Sequence, residues 1–179
     1  MSGAFGVRLR PATLDDADLL DAWAVSVDAR GAFNDFGQPR SRRRSYREML
    51  AGGPLLDEDR GELVVERLDD GQPIGTIGWH AVWNGPNHES RAWNIGISLV
   101  PEARGFGHGV EAQRMIAAHL FATTDVNRVE ASTDVDNIAE QRALQKAGFT
   151  REGVQRGAQF RAGAYHDLLV YSRLRDDPD

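Results

Sequence analysis

Cysteine is absent from the 179 residues, which excludes disulfides, thiolate metal sites and a cysteine nucleophile together. No apolar run approaches the roughly 18–20 residues that cross a bilayer, so no membrane partner is expected. The opening Met1-Ser2-Gly3-Ala4-Phe5 lacks the basic and apolar regions of a secretory signal, which makes a cytoplasmic address the expectation. Positive charge is scarce: 21 Lys and Arg stand against 27 Asp and Glu, for a formal net charge of −6. That balance disfavours nucleic acid, which is bound through clustered Lys and Arg. It suits cationic amines, and it equally serves solubility. One stretch runs the other way. Arg40, Arg42, Arg43, Arg44 and Arg47 crowd into positions 40 to 47, either as a patch for an anionic group or as a solvated loop leading into a helix.

What is present fits one globular domain spanning 1–179, with 41% hydrophobic and 27% charged residues. Val7 to Pro11 alternates apolar and polar and predicts a strand. Thr13, Asp15 and Asp16 then offer a cap and first-turn carboxylates for a helix over about 14–25. Ser45 to Ala51 predicts a short helix that Gly52-Gly53-Pro54 breaks. Leu63 to Leu68 and Pro73 to Val82 predict a hairpin around Asp69-Asp70-Gly71, and Trp93, Ile95, Ile97 and Leu99 mark a third strand with one buried face.

A helix over about 108–123 follows, with Ala112, Met115, Ile116 and Leu120 on one side and Gln113 and Arg114 on the other. Val129, Ala131 and Thr133 alternate as a strand that a helical crossover should set parallel to the 93–99 strand. Ala139, Ala143, Leu144 and Ala147 share a helical face that Gly148 ends, and β stretches at Phe149 to Arg156 and Gln159 to Leu174 close the chain. The fold class is α/β (α+β) with a mixed sheet.

The chemistry concentrates in Arg104-Gly105-Phe106-Gly107-His108-Gly109, where a strand enters and a helix leaves. Successive amides in such a turn can converge on an anion, aided by the helix dipole. Gly105, Gly107 and Gly109 run G-x-G-x-G, which is neither the dinucleotide pattern nor a P-loop. Arg104-x-x-Gly107-x-Gly109 at this junction resembles the acetyl-CoA signature of the GNAT superfamily of N-acetyltransferases. Further matches stand in order: Pro73 to Gly78, Ile95-Gly96-Ile97, Asp136 to Ala139, Leu144 to Phe149, and Tyr165-His166-Asp167 with Tyr171. The resemblance runs from about 7 to 174 and is greatest to the RimJ/RimL-type branch.

The resemblance implies a mostly antiparallel sheet of about seven strands flanked by helices, with a central splayed strand pair. It implies acetyl-CoA as co-substrate, no metal, and transfer to a primary amine on a small molecule or peptide. The pantetheine arm would lie between the 93–99 and 128–133 strands, paired with backbone near Ile97 and Leu99. The pyrophosphate would take the turn from Arg104 through Gly105, Phe106, Gly107, His108 and Gly109 to Val110. Asn137 would contact the arm or cap its helix, or do both.

Three positions depart from the family pattern. Asn94 stands where many relatives carry a glutamate base, and Glu140 and Leu144 stand where a Ser or Tyr acid is usual. His80 and Glu140 are the catalytic candidates in their place, with His88 and Glu89 on a loop that would overhang the acceptor site. The same departures fit a catalytically impaired CoA-binding sensor. His166 and Asp167 are expected to brace the last strands, and Trp83 and Trp93 near a turn could mark a homodimer interface.

Overall fold

A computed structural model describes residues 6–34, 36 and 44–178. The chain opens with β1 (Val7–Pro11), followed by a 3-10 turn (Leu14–Asp16) that runs into α1 (Ala17–Val25), then α2 (Val27–Arg30) and α3 (Tyr46–Leu50). Next come β2 (Arg60–Arg67), β3 (Pro73–Trp83) and β4 (Arg91–Leu99). Beyond these, α4 (His108–Thr123) leads to β5 (Arg128–Asp134), α5 (Ile138–Lys146), β6 (Thr150–Arg161) and β7 (Ala164–Leu174). The strands form one sheet in the order β1-β2-β3-β4-β5-β7-β6. Every neighbouring pair is antiparallel except β4 and β5, which the α4 crossover sets parallel.

Apolar side chains cover both faces of the sheet near β2, which explains the unbroken run Leu63-Val64-Val65. Leu63 and Val65 join Ile77, Trp79, Trp93 and Ile95 under the inward face of α4. Val64, between them, faces the other way into Leu20, Tyr46 and Leu50 of α1 and α3. Each fully buried side chain of this kind contributes roughly 1.5–3 kcal/mol. The edge is pinned electrostatically: Arg10 of β1 donates to both carboxylate oxygens of Asp16 at 2.8 Å and also pairs with Glu66 of β2. The Arg10 hydrogen bond holds the Asp16 carboxyl down at about 2.

The closing hairpin corrects the sequence expectation. β6 does not stop at Arg156 but continues to Arg161 through an irregular register between Gln155 and Gln159. The reversal falls at Ala162 and Gly163, both with positive φ (50° and 83°), as a tight hairpin turn requires. His166 Nε2 lies 3.1 Å from Arg161 O, and Asp167 Oδ1 accepts from Gly157 N at 2.7 Å. Both contacts tie β6 to β7 across that irregularity. Of the arginine cluster, Arg40, Arg42 and Arg43 lie outside the described residues, and Arg47 pairs with Asp18 on the surface at 2.9 Å.

Candidate active site

β4 ends at Leu99 and α4 begins at His108; a 3-10 turn over Pro101–Ala103 and then the glycine turn make the connection. Gly105 and Gly107 hold φ of 85° and 90°, a region that a side chain disfavours. A Cβ built at either would meet nothing within 4 Å, so a substitution there costs backbone strain and projects into the open space in front of the turn. Gly107 is the N-cap of α4 and has no side chain to cap it. The first helical bond runs from Glu111 N to Gly107 O at 3.2 Å. The amides of His108, Gly109 and Val110 therefore precede the helical ladder and stand at the positive end of a 16-residue dipole. Among the described residues, no backbone carbonyl takes them or the amides of Gly105 and Gly107.

Two members of the expected set have other duties. Arg104 N donates to Pro101 O, and its guanidinium donates to Leu99 O at 2.9 Å, Asp28 O at 3.0 Å and Ala29 O at 2.8 Å. Arg104 thus staples the turn to the end of α2 and takes up one lone pair of the Leu99 carbonyl. The His108 side chain is buried, with Nδ1 3.2 Å from Ala103 O, which leaves its amide as the part that faces the turn. Phe106 is 57% exposed.

Beside this turn the sheet opens. β4 and β5 pair only at Trp93↔Val129, Asn94↔Glu130 and Ile95↔Ala131, although β4 continues to Leu99 and β5 to Asp134. Val100 N turns to Ile74 O of β3 while Leu99 O turns away, so by strand alternation Ile97 presents its backbone to the gap. The gap opens into a cleft of about 810 Å³ that reaches both faces of the sheet. One mouth carries Tyr46, Arg60, Glu62, His80 and Asn94, with Tyr46 Oη donating to Glu62 Oε1 at 2.8 Å. The other carries Gln113, Asn137, Glu140 and Leu144. Burial pushes the Glu140 carboxyl up to about 7, against the opposing effect of a hydrogen bond from Gln113 Nε2 at 2.9 Å.

The acetyltransferase (GNAT) domain family matches residues 7–150. Among curated proteins, the uncharacterized N-acetyltransferase YoaA of Bacillus subtilis (strain 168) is 34% identical over 168 residues, 93% of this chain and 92% of that one. The chain belongs to the GNAT acetyltransferase family. Solved structures agree on the fold. A spermidine N-acetyltransferase from Vibrio cholerae, in complex with CoA and spermine, superposes with a TM-score of 0.77 at 18% identity, covering 96% of each chain. RimL, a ribosomal L7/L12 alpha-N-protein acetyltransferase in complex with coenzyme A, gives 0.77 at 22% identity and 96% of each chain.

Within this GNAT fold the remaining candidates separate. His80 is exposed at the first mouth, directly across the ladder from Asn94, and Glu140 stands at the other. Asn137 caps α5, its Oδ1 accepting from Glu140 N at 3.3 Å, and also lines the cleft. His88 and Glu89 do not overhang the site. They sit in the short turn between β3 and β4, with His88 Nε2 3.4 Å from Asp125 beyond the end of α4. Trp93 is not a surface residue either: it is 3% exposed and donates to Thr124 Oγ1, while Trp83 remains half exposed.

Gln113 is the cleft-lining residue that sequence reasoning missed. It is 1% exposed on the inward stripe with Ala112, Ile116, Ala117 and Leu120, not on the outer face with Arg114. The 3.6-residue period places position 113 within that stripe, but a polar side chain reads as solvent-facing. No helix among the described residues is long and apolar enough to cross a membrane, and no group of His, Asp or Glu among them could hold a metal ion.

Proposed function

We propose that this chain is a RimJ/RimL-type N-acetyltransferase that moves the acetyl group of acetyl-CoA to a primary amine by direct attack. It would act as a single domain with a core over 7–174, in the cytoplasm. The observation that carries the reading is the uncapped start of α4 beside the β4–β5 gap. An anion at the amides of Gly105 to Val110 and a linear arm along Ile97 would bring a thioester into the cleft between His80 and Glu140.

The neutral amine nitrogen attacks the thioester carbonyl carbon, a C–N bond forms and the C–S bond breaks. The nitrogen gives up one proton, for which His80, at the acceptor mouth, is the acceptor. The departing thiolate gains one, and Glu140 is the donor because its carboxyl holds a proton up to about 7. The products are an N-acetyl amine and free CoA, with no net proton change. Acceptor classes are suggested by the fold neighbours: a polyamine or a protein N-terminus. The cleft carries Arg44 and Arg60 beside Asp57 and Glu62, a mixed charge that suits an acceptor with polar groups of both signs.

The test is CoA release from acetyl-CoA across a panel containing spermine, lysine, an aminoglycoside and short peptides with free N-termini. Turnover of at least one amine is expected. Acetyl-CoA binding with no turnover across the panel would favour the sensor reading prompted by Asn94, Glu140 and Leu144.

A further inference from the structure

Gln113 is hard to explain as packing. A buried side-chain amide costs free energy unless its donors and acceptor are paired, and an orphan buried oxygen costs about 1–3 kcal/mol. Gln113 Nε2 is paired with Glu140 Oε1, but among the described residues Gln113 Oε1 has no hydrogen-bond partner. An apolar residue of the same length would avoid that cost on a stripe otherwise made of Ala, Ile and Leu. The partner it does have is a carboxyl that lines the cleft.

We infer that Gln113 is a positioning residue for acetyl transfer, clamping Oε1 of Glu140 so that the carboxyl stays in the cleft wall beside the opening between β4 and β5. This rests on the reading of Glu140 as the proton donor. An amide suits the task because it can pair with either charge state, more strongly with the carboxylate than with the acid. Its N–H₂ donates to a carboxylate, and a half-turn of the amide lets Oε1 accept from a carboxylic acid, which would satisfy the orphan oxygen. The proton could then leave for the thiolate sulfur, and a new one return from solvent, without loss of the clamp.

Among the described residues, the charged groups that line the cleft with Glu140 do not offer an alternative holder. Asp134 of β5 is paired with Arg161, and Arg60, Glu62 and His80 stand at the opposite mouth on β2 and β3. β6 contributes Gln159 to the lining, and α5 itself contributes Asn137 and Leu144. The proton affinity of Glu140 follows from burial and from Gln113 alone.

Gln113→Met keeps side-chain length and packing while removing the clamp, and Gln113→Asn keeps an amide that is one methylene too short. The carboxyl infrared band of Glu140, identified by its loss in Glu140→Gln, is titrated in each protein, and kcat and KM are measured against pH with the amine turned over fastest in the panel. Removal of a hydrogen bond to the charged form should raise the Glu140 midpoint by about one pH unit in Gln113→Met. The fall of kcat at high pH should move with it, with kcat down about 10–100-fold and KM for acetyl-CoA within about twofold. Gln113→Asn should lie between. A midpoint and pH profile unchanged in Gln113→Met, with Glu140→Gln still impaired, would overturn the clamp alone. Wild-type turnover and pH profile in Glu140→Gln would instead remove Glu140 as donor. The infrared titration decides for or against the clamp even in a protein that turns over no amine.

Discussion

At the junction of β4 with α4 the helix begins on Gly107, which has no side chain to offer, whereas at the junction of β5 with α5 Asn137 closes its own helix through Oδ1. Both junctions leave the diverging ends of the same two strands. The second is satisfied from within: Asp134 Oδ1 accepts from Asp136 N at 2.8 Å, and Asn137 accepts from Glu140 N. At the first, no backbone carbonyl among the described residues takes the amides of Gly105, Gly107, His108, Gly109 or Val110, an arrangement that leaves free energy for an incoming anion to recover. The difference shows that an anion site can be made by withholding a cap, and that a capped helix beside it is free to present a side chain instead. At α5 that side chain is Glu140, three residues past the cap.

The most direct way to break the contrast is to give the first junction the acidic group it lacks. In Gly107→Asp, a carboxylate projects into the open space in front of the turn. Saturation with acetyl-CoA at 100 times its dissociation constant should stabilise the wild type by ~2.7 kcal/mol, a rise of roughly 5–10 °C in Tm. Gly107→Asp should show no rise, while Gly107→Ala should keep part of it after a backbone cost of about 1–2 kcal/mol. Equal stabilisation of all three proteins would return the turn to a structural role only.

The next effect sharpens the other junction through pH. The Glu140 carboxyl is raised from 4.5 to about 7, so between those values the unfolded chain releases a proton that the native chain keeps. Stability is therefore fully present below pH 4.5, falls as pH rises toward 7, and is level beyond. After discounting for partial exposure, the loss is about 2 kcal/mol. Glu140→Gln should flatten that part of the urea-unfolding profile. Asp16 works with the opposite sign and elsewhere, since its stabilisation is lost as pH falls from 3.8 through about 2. A profile with the same slope in wild type and Glu140→Gln would mean that the carboxyl is not shielded.

Much of this contrast was legible before the fold. Alternating Trp93, Ile95, Ile97 and Leu99 and the glycine turn locate β4 and α4, and the crossover rule sets β5 parallel to β4. Those signals are local, or follow from chain handedness. What escaped depends on partners far along the chain. The Arg104 guanidinium finds carbonyls of α2 that are 75 and 76 residues away, and nothing in a glycine pattern says so. Gln113 is buried because a second helix brings Glu140 to it, 27 residues later. The end of β6 depended on Ala162, a non-glycine residue at positive φ that no turn signal marks.

The smallest expected effect asks whether the second junction is closed only for itself. Asn137→Ala removes the acceptor of Glu140 N and should cost about 1 kcal/mol, a fall of roughly 2–4 °C in Tm without ligand. Asn137→Ser restores a capping oxygen but offers no amide N–H₂ to a neighbouring arm, so it should recover that stability to within a few tenths of a kcal/mol. Asn137 also lines the cleft, and if its amide donates to the substrate, KM for acetyl-CoA should stay raised about threefold to tenfold in both variants, as the loss of one hydrogen bond implies. A serine variant that regains both the Tm and the KM of the wild type would make Asn137 a helix cap and nothing more. The two junctions would then divide their labour completely, one holding the ligand and the other holding only its own helix.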